Sequence, residues 1–160
     1  MLGTCYYSLN MIEINNLTTS LVDKAFLKKV AKIVLEGEGL SEEFNLSIAL
    51  VGQGRIRELN QRYRKKNRVT DVLSFPESKI LLEKFRIGPL QKAEGLGEIV
   101  ICLREVKKNA KRFKNTFEKE LAKILIHGIL HLLGYDHKKD NKNKKAKEMK
   151  EKEEYYLSNT

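Results

Sequence analysis

The spacing of apolar residues along the chain predicts a mixture of strands and helices. Apolar and polar residues alternate over 11–15, which is typical of a short half-buried strand. Further strands are predicted at 44–52, 71–75 and 98–102, and Pro76 would end the third of them. The pattern therefore indicates a sheet of roughly four strands.

Helical spacing fills most of the sequence between these strands. The first helix has Thr or Ser available as its cap and Gly37 near its end, and Asn115 with Glu118 forms an N-cap and N3 pair in front of a later helix. Gly134 is a natural residue for ending that later helix. The predicted helices cover 18–39, 55–66, 103–113, 116–134 and 141–156.

The order of these elements indicates the fold class. Strands and helices do not alternate strictly, so we expect an α+β domain with a mixed sheet of roughly four strands and about five helices. The segment 77–96 has no clean period and contains several glycines, and it is interpreted as a long loop of a kind that is often functional.

Length and composition are those of one soluble globular domain spanning 1–160. The chain has 160 residues, of which 41% are hydrophobic and 32% charged. No apolar run approaches the roughly 20 residues needed to cross a bilayer, and 1–10 does not resemble a secretory signal. The two cysteines form no metal-binding pair, and Cys102 is expected to be a buried thiol. These features predict a cytoplasmic protein.

The net charge of +10 favours a polyanionic partner, and its distribution matters more than its sum. The segment 55–68 has seven basic residues and one acidic residue, so part of it is a candidate nucleic-acid surface. The segment 138–154 instead interleaves lysine with glutamate at i, i+4 spacing and is interpreted as a mostly structural, solvated helix.

All three histidines of the chain fall within HGILHLLGYDH, residues 127–137. His127 and His131 are four residues apart and share one face of a helix, since that spacing leaves an offset of about 40°. The turn at Gly134 would bring His137 back toward the same face. Three imidazoles with an open fourth position are typical of a catalytic zinc site, although nickel or copper can also occupy such nitrogen ligands.

The alternative is that these histidines bind no metal. The surrounding residues are almost all leucine and isoleucine, so two imidazoles without a partner would carry a cost of polar burial that a metal removes. The spacing also occurs in metzincin peptidases, where a glutamate follows the first histidine as general base. This chain has Gly128 at that position, which argues against proteolysis.

HGILHLLGYDH resembles the HGxLHLxGYDH signature of the YbeY endoribonuclease family. LNQRYRKKNRVTDVLSFP (59–76) and LGEIVIC (96–102) resemble two further blocks of that family, in the same order. The similarity extends from about Met11 onward, so 1–10 would be an N-terminal extension and Met11 an alternative start. Glu98 stands where the family usually has aspartate.

The resemblance implies a zincin-like arrangement of helices on a mixed sheet and a metal held by His127, His131 and His137. It implies one zinc ion per chain, no small organic cofactor, and Arg64 as the functional basic residue. It further implies a metal-dependent endoribonuclease specific for single-stranded RNA, which acts with the small ribosomal subunit in 16S rRNA 3′-end maturation and ribosome quality control.

Residues near these motifs are candidates for supporting roles. Arg64 offers a planar fork for phosphate that a lysine cannot reproduce. Asp136 is expected to act as a general base or to hold a ligand imidazole. The substrate-lining candidates are two aromatic residues suited to base stacking and three polar residues of the same block: Tyr63, Phe75, Thr70, Asp71 and Ser74.

Two other functions remain open at this point. One is a metal-stabilised ribosome-assembly factor that binds RNA without cutting it. The other is a metallopeptidase, which Gly128 disfavours. The sequence leaves open whether water or the RNA 2′-hydroxyl would attack the phosphorus.

Overall fold

The computed structural model describes residues 11–40, 44–77, 94–135 and 144–160. These ranges contain four strands and five helices, which confirms the predicted α+β class. In chain order the elements are β1 Met11–Asn16, α1 Lys24–Gly37, β2 Phe44–Val51, α2 Gln53–Arg64, β3 Val72–Pro76, β4 Glu94–Cys102, α3 Leu103–Phe113, α4 Phe117–Leu132 and α5 Lys144–Ser158.

The four strands form one mixed sheet in the order β1-β2-β4-β3. β1 pairs with β2, and β2 with β4, in parallel, whereas β3 pairs antiparallel with β4 and lies at the edge. Parallel neighbours require a crossover between them, and α1 supplies the crossover from β1 to β2.

The two faces of the sheet bury cores of different size. The larger core lies between one face and helices α1, α3, α4 and α5, and it includes Ile48 and Ile99 of the two central strands. On the other face, Ile56 of α2 packs against Val100 and Cys102. Cys102 is fully buried, which confirms the predicted buried thiol, and this burial raises the pKa of the thiol.

Several element boundaries differ from the sequence prediction. α1 begins at Lys24 and is capped by Asp23, whose carboxylate accepts from the Phe26 amide, so the Thr or Ser cap was wrong. α4 is capped by Thr116 rather than Asn115. The side chain of Asn115 instead donates to the buried Glu120 at 2.8 Å.

The predicted loop 77–96 is shorter at its C-terminal end than the sequence suggested. β4 already begins at Glu94, because the chain from there pairs with β2. The interval 78–93 lies outside the described residues. Within the described ranges, no helix is long and apolar enough to cross a membrane.

Candidate active site

The C-terminal half of α4 carries the histidine pair and ends in a glycine turn, as the sequence predicts. Gly134 has φ 88°, and its amide donates to the His131 carbonyl at 3.1 Å. The Tyr135 amide donates to the Leu130 carbonyl at 3.0 Å. These two bonds form a Schellman motif, in which a residue without a Cβ is favoured at the left-handed position.

His127 and His131 lie one turn apart, and their Nε2 atoms point at each other across 3.1 Å. The Nδ1 atom of His131 lies 2.9 Å from the Tyr135 carbonyl oxygen. A carbonyl can only accept, so this Nδ1 carries the proton. The Nδ1 atom of His127 lies 2.7 Å from a carboxylate oxygen of Glu153, which assigns the same tautomer.

This arrangement fits a transition metal. When both imidazoles are neutral and protonated at Nδ1, the two facing Nε2 atoms present lone pairs to each other, and a cation between them removes the repulsion. Two nitrogens bound to one tetrahedral zinc at about 2.0–2.1 Å are about 3.3 Å apart, close to the observed separation. The separation of the two Nε2 atoms therefore fits two ligands of one such ion.

The third predicted ligand, His137, and its neighbour Asp136 lie outside the described residues. Within the ranges that are described, no three His, Cys, Asp or Glu side chains come together as a group able to hold a metal. The described part of the chain thus contains two of the three predicted ligands, and the ligand roles of all three histidines stay a prediction.

Glu153 of α5 is a site residue that the sequence interpretation missed. Its side chain is 16% exposed and contacts His127, which is the carboxylate–histidine contact that orients imidazole ligands in metal sites. The interpretation of 138–154 as mostly solvated holds for the exposed Lys147–Glu151 pair at 3.6 Å. A signal for Glu153 was present, since it shares helical spacing with the buried Met149 and Tyr156.

Gly128 is buried where α4 crosses the sheet. A Cβ at this position would lie 3.0 Å from Ile99 Cγ2 and 3.3 Å from Ser74 Oγ. The Ser74 hydroxyl donates to the Gly128 carbonyl at 3.1 Å and joins the edge strand β3 to α4. Position 128, which corresponds to the glutamate of metzincins, therefore faces the core in this chain.

Asp71 lines a cavity of about 160 Å³ that His127 and Glu153 also line. One Asp71 oxygen accepts from the Val72 amide at 2.9 Å, and the other accepts from Asn109 at 3.1 Å. The Thr70 hydroxyl donates to Asp71 at 3.3 Å. The structure therefore brings Thr70, Asp71 and Ser74 to the side of the sheet where α4 lies.

Tyr63 and Phe75 lie elsewhere. Successive side chains of a strand point to opposite faces, so Phe75 points away from α4 while Ser74 contacts it. The Tyr63 and Phe75 rings meet edge to face, with centroids 5.1 Å apart. Together with Arg55 and Glu98, they line a groove of about 310 Å³ beside α2. The structure does not bring the two aromatic candidates to the histidine pair.

α2 and the segment after it present an exposed basic surface, which consists of Arg55, Arg57, Arg62, Arg64, Lys65, Lys66 and Arg68. Arg64 is the last residue of α2, and Lys65 after it takes the left-handed conformation with φ 59°. The buried Asn60 donates to the Arg68 carbonyl at 2.8 Å and thereby fixes the turn from α2 toward β3. This contact fixes the backbone that carries Lys65, Lys66 and Arg68.

Comparisons with known proteins identify the family of this chain. The family model of Endoribonuclease YbeY matches residues 12–160. The Endoribonuclease YbeY of Thermotoga maritima is 42% identical over 130 residues, which cover 81% of this chain and 75% of that protein. The Endoribonuclease YbeY of Clostridioides difficile is 37% identical over 140 residues, which cover 86% of this chain and 87% of that protein.

A solved structure is also similar to this chain in fold. The solution structure of a protein from Thermotoga maritima matches with a TM-score of 0.59 and 37% identity. The match covers 92% of this chain and 87% of that one. The resemblance seen in the three sequence blocks is confirmed, and the chain belongs to the YbeY endoribonuclease family.

Proposed function

We propose that this protein is a metal-dependent endoribonuclease that cuts single-stranded RNA. The observation that carries the proposal is the pair of Nε2 atoms of His127 and His131, which face each other at 3.1 Å while each Nδ1 is held by an acceptor. The names of the relatives support RNA as the substrate class.

Each residue of the site has a role that follows from its chemistry. His127 and His131, with His137 as the third ligand, would hold one zinc ion or another divalent transition metal. Such an ion, when bound, supplies Lewis-acid polarisation and a water of lowered pKa. Glu153 and the Tyr135 carbonyl keep both Nδ1 atoms protonated, so each Nε2 presents its lone pair to the ion.

Arg64 would act on the phosphate rather than on the metal. A guanidinium has no lone pair to donate to a metal, and its planar fork matches two phosphate oxygens. Its side chain is exposed at the end of α2. We assign it to stabilise the negative charge that develops on the phosphoryl group.

The exposed cations of 55–68 would bind the RNA backbone without reading its sequence. The family resemblance supports a cytoplasmic role with the small ribosomal subunit, in maturation of the 16S rRNA 3′ end and in ribosome quality control. The burial of Gly128 disfavours a peptidase, because no carboxylate follows the first histidine and a Cβ there would press on Ile99.

The decisive experiment compares cleavage of a single-stranded RNA by zinc-loaded protein, metal-stripped protein and the His131→Ala variant. We expect cleavage only by the zinc-loaded wild type. Equal cleavage by His131→Ala would refute the assignment, since it would point to a contaminating nuclease or a different site. RNA binding without cleavage at full zinc loading would favour the assembly-factor alternative.

A further inference from the structure

We propose that Glu38 is a positioning residue for the histidine pair, which it reaches through two sets of contacts. One set leads to His131 through Tyr135. The other leads to His127 through Glu153 and the helix that carries it. The inference rests on the proposed function, because it concerns how firmly the two imidazoles are held for a metal ion.

Glu38 lies just after α1, and its side chain is 8% exposed. It accepts hydrogen bonds from Tyr135 Oη at 2.8 Å, Lys152 Nζ at 2.7 Å and Tyr156 Oη at 2.5 Å. Burial alone would raise the pKa of Glu38, but these donors hold its pKa below the ordinary value. A negative charge is unfavourable at a helix C-terminus, so α1 itself does not explain this residue.

The first connection runs to His131 through a single residue. Glu38 holds the hydroxyl of Tyr135, and the carbonyl of the same Tyr135 accepts from His131 Nδ1 at 2.9 Å. Tyr135 directly follows the left-handed Gly134, where the chain leaves α4. Anchoring the Tyr135 side chain therefore fixes the direction of the carbonyl that orients the imidazole.

The second connection runs to His127 through α5. Lys152 and Tyr156 are one turn apart on this helix, so they share the face that meets Glu38. Glu153 is the next residue after Lys152 and contacts His127 Nδ1 at 2.7 Å. With Lys152 and Tyr156 both held by one carboxylate, α5 is restrained from rotating or sliding, and Glu153 stays within reach of the imidazole.

One side chain thus restrains the Nδ1 partners of both imidazoles. Residues that orient metal ligands from outside the metal's own coordination sphere commonly change metal affinity by about 10- to 100-fold when they are removed. Because Glu38 supports both ligands without touching either, its loss should weaken metal binding in a protein that still folds.

The test is a zinc competition titration against a chromophoric chelator, with folding of every variant checked by circular dichroism. Glu38→Ala removes all three contacts, and Tyr135→Phe removes only the hydroxyl while keeping the ring and the carbonyl. Val30→Ala is the matched control, since Val30 is fully buried in α1 but has no polar group that could join the hydrogen bonds of Glu38. Glu38→Gln tests for rescue, because its amide oxygen can still accept.

We expect Glu38→Ala and Tyr135→Phe to bind zinc about 10-fold more weakly or worse. We expect Glu38→Gln to lose less affinity than Glu38→Ala, and Val30→Ala to lose stability but no affinity. Wild-type affinity in Glu38→Ala and Tyr135→Phe would overturn the inference, as would an equal loss in Val30→Ala. A wild-type protein that takes up no zinc would instead overturn the proposed function.

Discussion

Gly128→Ala provides a quantitative test of how closely α4 packs on the sheet. In a helix, alanine is more favourable than glycine by about 1 kcal/mol, so this substitution would ordinarily stabilise the protein. Here the new Cβ would meet Ile99 Cγ2 at 3.0 Å, Ile99 Cδ1 at 3.3 Å and Ser74 Oγ at 3.3 Å. Crowding of a well-packed core typically costs about 1–3 kcal/mol. The two effects together predict a net loss of about 1 kcal/mol.

Gly54→Ala is the matched control for this substitution. Gly54 lies in the first turn of α2, and a Cβ there would have no atom within 4 Å. Its replacement should stabilise the protein by about 0.5–1 kcal/mol, because it restricts the unfolded chain without creating a contact. The two variants should therefore differ by about 1–3 kcal/mol, which is the cost of crowding at Gly128.

The measurement is urea-induced unfolding of wild type and both variants, followed by far-ultraviolet circular dichroism. Equal slopes with shifted midpoints would show that only stability has changed. If Gly128→Ala proved as stable as Gly54→Ala, the close approach of α4 to the sheet would be refuted. The explanation of why position 128 cannot carry the glutamate of a peptidase would fail with it.

Three further predictions concern the site and its supports. Arg64→Ala should keep the zinc content and fold of the wild type, but its rate of RNA cleavage should fall by about 100-fold or more, and Arg64→Lys should recover little of that rate. Lys66→Ala should mainly weaken RNA binding. The test is to measure the cleavage rate and the binding affinity of each variant on the same RNA. His131→Ala should lose bound zinc, measured by elemental analysis of untagged protein; zinc uptake equal to that of the wild type would remove His131 from the site. Because the pKa of Glu38 is lowered in the folded protein, its contribution to stability is present above its ordinary pKa and is lost as the pH falls through the folded value. Glu38→Gln should therefore be less stable than the wild type at pH 7, and it should lose less stability than the wild type when the pH is lowered. The measurement is the urea midpoint of both proteins at pH 7 and at pH 3.

The sequence predicted the elements whose signals are local. Four strands and five helices followed from apolar spacing, and the end of α4 followed from Gly134, because a turn of this kind requires a left-handed residue. The pairing of His127 with His131 was also local, since helix geometry alone places them on one face.

The contacts that the sequence did not reveal join distant segments. Glu153 lies 26 residues from its partner His127, and Glu38 lies 97 residues from Tyr135. In the lysine- and glutamate-rich segment 138–154, the sequence alone does not distinguish Glu153, which faces the core, from the solvated glutamates around it. Phe75 was predicted from its aromatic ring to line the substrate together with Ser74, but strand alternation places these two side chains on opposite faces of the sheet. Its stacking role stays a prediction.

The position of Glu153 on the last helix has a consequence for the order of assembly during translation. The four strands and both histidines of α4 are synthesised before α5, so the ligand pair is complete in sequence before the carboxylate is added. About twenty residues separate His131 from Glu153, which takes about 1–4 s at about 5–20 residues per second. During that interval the nascent chain contains both imidazoles but not yet the carboxylate of Glu153. The contact between Glu153 and His127 therefore forms only after α5 has been synthesised and has docked on α4.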